Sequence, residues 1–138
     1  MIVPLDYGKT LILRVPAMYT SQALRFRLTG DLPMIRPIAH ILLHFIVPGI
    51  VAGIAFRDRW KSAWLIMALT IVVDLDHLLA NPIYDPNRCS IGFHPLHSYP
   101  AIVIYLVLTS ITKTRLIGLG LLIHMALDGL DCIWMNVS

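Results

Sequence analysis

The stretch Val72-Val73-Asp74-Leu75-Asp76-His77 lies near the end of an apolar run from Ser62 to Ala80. An Asp at the centre of a membrane-inserted helix costs about 2.5 to 3.5 kcal/mol, and each Leu, Ile, Val or Phe returns about 0.3 to 0.6. The run holds nine Leu, Ile and Val residues, together worth about 3 to 5 kcal/mol, so two central aspartates would cancel them. A place near the helix end lowers the penalty. Ionisable groups at such depth still face the protein interior and mark functional sites. The rest of the chain reads as their surroundings.

The 138 residues bound a single domain. Hydrophobic residues make up 57%, charged residues only 14%, and the mean hydropathy is +0.74, which points to a membrane protein. Glu is absent, so all eight acidic residues are Asp. The net charge of +3 is small and the basic residues form no stripe with aromatics between them, which excludes nucleic-acid binding as a class. Cys89 and Cys132 are too few for a disulfide scaffold and lack metal-site spacing.

Four spans are expected, at about 37–56, 62–80, 100–112 and 116–134, within a membrane domain covering 34–138. The third is short unless the bilayer thins around it. Pro48-Gly49 predicts a kink in the first span, and the Pro- and Gly-containing stretch 81–99 is an ordered loop. Residues 1–33 form an N-terminal extension, broken by Lys9, Arg14, Arg25, Arg27, Pro4, Pro16 and Pro33. Within it, 17–28 reads as a short amphipathic helix on the membrane surface; no secretory signal is recognisable. The turns Arg57-Asp58-Arg59-Trp60-Lys61 and Lys113-Thr114-Arg115 share one side and are basic. The excess of Lys and Arg in cytoplasmic turns puts them inside, and the 81–99 loop on the non-cytoplasmic side.

All six histidines fall near that outer end. His40 and His44 are four residues apart and share a helix face, as do His124 and Asp128. Asp74 and His77 close the second span, with Asp76 further round; His94 and His97 lead into the third; Asp131 lies one turn beyond Asp128. Up-down connectivity brings these ten groups to one level, roughly 5 to 15 Å below the outer surface at about 1.5 Å per residue. A structural bundle has little reason to collect them there, whereas neutral imidazole and carboxylate bind Zn²⁺, Mn²⁺ or Fe²⁺. The expected ligands are His40, His44, Asp74, His77, His94, His97, His124 and Asp128. They are too many for one tetrahedral zinc, so two or more ions fit better. Asp76 and Asp131 are candidates for taking a proton, and Asp76 also for orienting a ligand imidazole. Arg36 and Arg88 lie on the same rim, where they can hold a phosphate by bidentate hydrogen bonds or anchor the chain at headgroup level. Cys89 and Cys132 also share that end, and both a disulfide and two buried thiols stay open. The fold class expected is therefore all-α: a polytopic membrane four-helix bundle with a polar metal site near one membrane face.

His40-x3-His44 before Pro-Gly, Asp74-x-Asp76-His77, His94-Pro-Leu-His97-Ser98 and His124-x3-Asp128 together resemble the predicted membrane-bound metal-dependent hydrolases (the YdjM-like family). The likeness covers about residues 34–134 and lies closest to a small uncharacterised bacterial subfamily. The motif order is also similar to that of zinc-dependent phospholipase C. The resemblance implies a zinc-dependent hydrolase of the bacterial inner membrane, with His40 or His44, Asp74, His77, His97, His124 and Asp128 as ligands. A metal-activated water would attack a phosphoester or ester of a membrane lipid or lipid-linked substrate, Asp76 or Asp131 would take the proton, and Arg88 would stabilise developing charge. Two rivals share the ligands: a non-catalytic metal-binding or metal-transport protein, and a haem or di-iron redox protein. The many Asp residues weigh against haem. A conduit needs a polar path, and the inner halves of the spans carry no ionisable residue. The oligomeric state is not specified by the sequence.

Overall fold

The computed structural model describes residues 35–83, 85 and 88–137. The expected extension over 1–33 and its amphipathic helix lie outside the described residues. The described chain is all-α. Helix α1 covers Ile35–Ala55, a 3₁₀ turn covers Arg57–Arg59, and α2 covers Trp60–Ala68. A 3₁₀ helix then runs from Leu69 to Leu79, and a second short one from Pro95 to His97 precedes α3 (Tyr99–Ser110) and α4 (Arg115–Val137). Three of the helical stretches, Ile35–Ala55, Arg57–Leu79 and Arg115–Met135, are long and apolar enough to cross a membrane, whereas Tyr99–Ser110 is apolar but shorter.

Helix α1 starts with Pro37 in its first turn, where a missing N–H costs nothing. Only His44, Pro48 and Ala52 are buried, a stripe repeating every four residues. The outer faces carry Ile38, Ile41, Leu42, Phe45, Ile46, Ile50 and Ile54, all exposed. The helix continues through Pro48. Proline interrupts the backbone ladder there, and the Trp64 indole N–H of α2 donates to the Phe45 carbonyl at 2.9 Å. Gly49 faces that indole: a Cβ there would meet Trp64 Cδ1 at 3.4 Å, an ordinary van der Waals contact.

The second span departs from the uniform helix its apolar pattern suggested. After Ala68 it tightens into 3₁₀ geometry for 11 residues, far longer than the usual three or four. Thr70-Ile71-Val72-Val73 is a run of four β-branched residues, whose stiff side chains crowd an α-helical turn. The Thr70 hydroxyl also donates to the Met67 carbonyl at 2.6 Å, just where the helix changes. With three residues per turn, side chains three apart eclipse. Val73 and Asp76 therefore form one column, which is buried, and Ile71, Asp74 and His77 form a second, half-buried one.

Helix α4 is the element against which α2, the long 3₁₀ helix and α3 pack most closely. Small residues permit the approach. A Cβ on Gly118 would strike the Thr109 backbone nitrogen and lie 2.7 Å from the Leu108 carbonyl carbon; one on Gly120 would lie 2.8 Å from Met67 Cα. The core divides into two clusters. Ala52, Ala63 and Met67 fill the end nearest the basic turns, while Val73, Ala101, Tyr105 and Met125 lie close to the histidines. At the end of α3 the Thr114 hydroxyl donates to the Leu108 carbonyl at 2.9 Å, satisfying a helix-terminal acceptor. The turn that follows carries Lys113 and Arg115.

Candidate metal centre

Four segments deliver the polar side chains to one level: the first half of α1, the second half of the long 3₁₀ helix from Asp74 onward, the loop 88–97, and the middle of α4. Asp74, His97, His124 and Asp128 form the first group, each offering one ligand atom, all within 4.8 Å of one another. Asp74 Oδ1 is 3.0 Å from His124 Nε2 and 3.3 Å from His97 Nε2. Asp128 Oδ2 is 3.0 Å from His97 Nε2 and 3.5 Å from His124 Nε2, and the two Nε2 atoms are 3.4 Å apart. A tetrahedral ion with bonds of about 2.0 to 2.2 Å separates its ligands by about 3.3 to 3.6 Å. The five distances are close to those edges, on donor atoms of the type zinc prefers.

The second group is His40, His44 and Asp128. Here the other oxygen of Asp128 is used, with Oδ1 lying 3.1 Å from His40 Nε2 and 3.6 Å from His44 Nε2. His44 donates its Nδ1–H to the His40 carbonyl at 2.9 Å, which leaves Nε2 with its lone pair directed inward. Among the described residues, the buried side-chain atoms without a hydrogen-bond partner are His44 Nε2, His124 Nδ1 and Asp128 Oδ2. Two of these three are the atoms that would coordinate. A buried lone pair facing a carboxylate is unfavourable; a cation between them removes the penalty.

Asp76, His77 and His94 make a third group. The His77 and His94 rings stack with centroids 3.8 Å apart, His77 Nδ1 lies 3.1 Å from Asp76 Oδ1, and His77 Nε2 lies 3.1 Å from the Ser90 hydroxyl. Asp76 is buried and heavily engaged. Its Oδ2 accepts the Leu96 backbone N–H at 2.8 Å and the His97 Nδ1–H at 3.2 Å. The second contact fixes the His97 tautomer so that Nε2 faces Asp74 and Asp128, an arrangement typical of carboxylates behind metal-bound imidazoles.

The electrostatics of the loop agree. Burial alone pulls the His97 pKa down, but the carboxylates of Asp128, Asp74 and Asp76 outweigh it and push it up to about 10. The three carboxylates thus favour positive charge at that position, from a proton or from a bound cation. His94, on the far side, has its pKa lowered by burial and by the neighbouring His77.

Of the residues singled out in the sequence, His40, His44, Asp74, Asp76, His77, His94, His97, His124 and Asp128 are brought together in these three groups. Asp131 and Arg88 lie outside them. Arg36 grips Asp131 with two hydrogen bonds of 2.9 and 2.7 Å, tying the start of α1 to the end of α4. The Arg88 guanidinium donates to the Pro82 and Ile83 carbonyls at 2.8 and 3.0 Å and lies over the Phe93 ring. Cys89 and Cys132 form a disulfide that pins the loop to α4. Sequence reasoning missed Tyr105, whose hydroxyl donates to the Leu96 carbonyl at 2.8 Å and supports the loop from below. Its signal was a phenol in an otherwise apolar segment.

Residues 34–135 match a family of unknown function, DUF6122. The chain belongs to that family. DUF6122 carries no assigned activity, so membership brings the chain no named hydrolase. No curated protein and no solved structure matches the chain.

Proposed function

We propose that this DUF6122 protein is an integral-membrane hydrolase. It would use two divalent cations of the zinc class, Mn²⁺ and Fe²⁺ being the alternatives, to direct water at a phosphoester or ester of a lipid or lipid-linked substrate. The observation that carries the reading is the division of Asp128, with one oxygen toward His97 and His124 and the other toward His40 and His44. A bound pair of divalent ions stabilises both the attacking and the leaving oxygen of a displacement and lowers the pKa of a water. The chain's part would be to hold that pair: Asp128 would serve both sides, Asp74, His97 and His124 would complete one, and His40 and His44 the other. Asp76 is a positioning residue for His97 and His77. Asp131 holds Arg36 across the rim, and Arg88 fastens the loop that carries His94 and His97.

The site lies on the non-cytoplasmic side in this reading, and two independent features support that. The basic turns around Arg57–Lys61 and Lys113–Arg115 are at the opposite end from the histidines, where cytoplasmic turns concentrate positive charge. The Cys89–Cys132 disulfide is at the histidine end, and disulfides persist in oxidising compartments. In sealed right-side-out vesicles a membrane-impermeant maleimide is expected to label Phe93→Cys and spare Lys113→Cys. The reverse pattern would invert the topology.

A metal conduit is disfavoured, because Ala52, Ala63 and Met67 fill the bundle on the far side of the site with apolar atoms. The test of hydrolysis combines elemental analysis of purified protein with turnover of lipid phosphates, phospholipids and bis(p-nitrophenyl) phosphate. Turnover is expected to rise with metal content and to drop to background in Asp74→Asn. Protein with full metal content that cleaves none of these, nor a carboxylic ester, would remove the reading.

A further inference from the structure

The geometry points to lateral access: the metal centre opens sideways, between α1 and the long 3₁₀ helix, to an anionic phospholipid that reaches it from within the bilayer. The inference rests on the membrane-hydrolase reading above and adds where the substrate comes from and what it is.

The exposure of the ligands is one-sided. His97, His124, Asp128 and His44 are buried, whereas the side chains of Asp74, His77 and His40 are 39%, 29% and 26% exposed. All three lie on α1 or the 3₁₀ helix. Asp74 and His77 belong to the half-buried column that Ile71 continues. Among the described residues α1 does not approach the 3₁₀ helix as closely as α4 does.

Among the described residues, the loop end and the α1–α4 rim are bridged. The loop covers the outer end and is fastened by the disulfide to α4, by the Leu96 N–H to Asp76, and by the Tyr105 hydroxyl to the Leu96 carbonyl. The Arg36–Asp131 pair bridges α1 to α4. The open side is not a watery one. Asp74 lies five residues before the end of the 3₁₀ helix, about 10 Å below it at about 2.0 Å per residue, and His40 lies about 8 Å below the start of α1. The flanking surface is Ile41, Leu75 and Leu78, all exposed. Apolar flanks of this kind suit acyl chains. Two divalent ions held against the Asp74 and Asp128 carboxylates would leave an excess of positive charge, which suits a phosphate and not a cationic headgroup.

The experiment uses full-length, zinc-loaded protein in phosphatidylcholine nanodiscs containing phosphatidylglycerol with a photoactivatable diazirine in its acyl chain. After irradiation the label is expected to be enriched several-fold on peptides 37–48 and 69–79 over the α3 face of Val103, Ile104 and Val107. The enrichment should vanish when zinc is stripped, in Asp74→Asn, and when Ile71→Trp blocks the seam. Equal labelling of α3, or seam labelling indifferent to zinc, would overturn lateral access. Turnover of bis(p-nitrophenyl) phosphate, run in parallel, separates the two ideas. Turnover with uniform labelling overturns the route and keeps the hydrolase; zinc-dependent seam labelling without any turnover keeps the route and removes the hydrolase.

Discussion

Asp128→Asn is expected to empty both halves of the metal centre, lowering the metal content from about two ions per chain to nearly none, because both need its carboxylate. The change is nearly isosteric, so it removes charge and keeps volume. Oδ1 faces His40 and His44, while Oδ2 faces His97 and His124. An amide has one good ligand oxygen and no negative charge, so neither group retains a competent set. His44→Gln provides the contrast. It strips one ligand from the second group and leaves all four ligand residues of the first in place, so about one ion should remain. Elemental analysis of the two variants beside wild type measures the difference. Equal metal loss in both would mean a single site, and unchanged content in Asp128→Asn would remove Asp128 as the bridge.

Asp76→Asn is expected to weaken metal binding by about 10- to 100-fold while leaving the number of ions unchanged at saturation, the usual size for a group behind a metal-bound imidazole. The Asp76 carboxylate accepts from His97 Nδ1 and from the Leu96 backbone N–H, and it also meets His77. An amide still fills the space and can accept one of these bonds, but it no longer enforces the His97 tautomer. Competition with a metal-sensing chelator reads the affinity, and elemental analysis at saturation reads the number. A drop in the number of ions would make Asp76 a direct ligand in the Asp76–His77–His94 group.

The convergence of the histidines was legible in the sequence for a physical reason. Apolar runs joined by short basic turns leave few topologies, and in an up-down arrangement His40, His44, His77, His124 and Asp128 have to meet at one end. The 3₁₀ helix was not read. Its cause, the β-branched run at Thr70–Val73, stands in the open, but an apolar segment has the same composition whether it holds 3.6 or 3.0 residues per turn. The division of Asp128 between two groups was also out of reach, because it depends on which carboxylate oxygen faces which imidazole. Arg36 illustrates the same limit. The sequence places it on the outer rim with Arg88, yet only the side-chain geometry shows that it grips Asp131.

The disulfide has a consequence for assembly. Cys89 and Cys132, 43 residues apart in sequence, close a covalent ring that contains His94, His97, His124 and Asp128. Three of the four ligands of the first group therefore travel on one loop of chain, and closing that loop removes conformational freedom the metal would otherwise have to quench. Asp74, His40 and His44 are outside the ring. In the proposed centre, metal binding would then divide into a preorganised half, set by oxidation, and a recruited half, set by the docking of α1 and the 3₁₀ helix. An ion held by the ring alone would be an assembly intermediate, and the two helices would complete the centre around it.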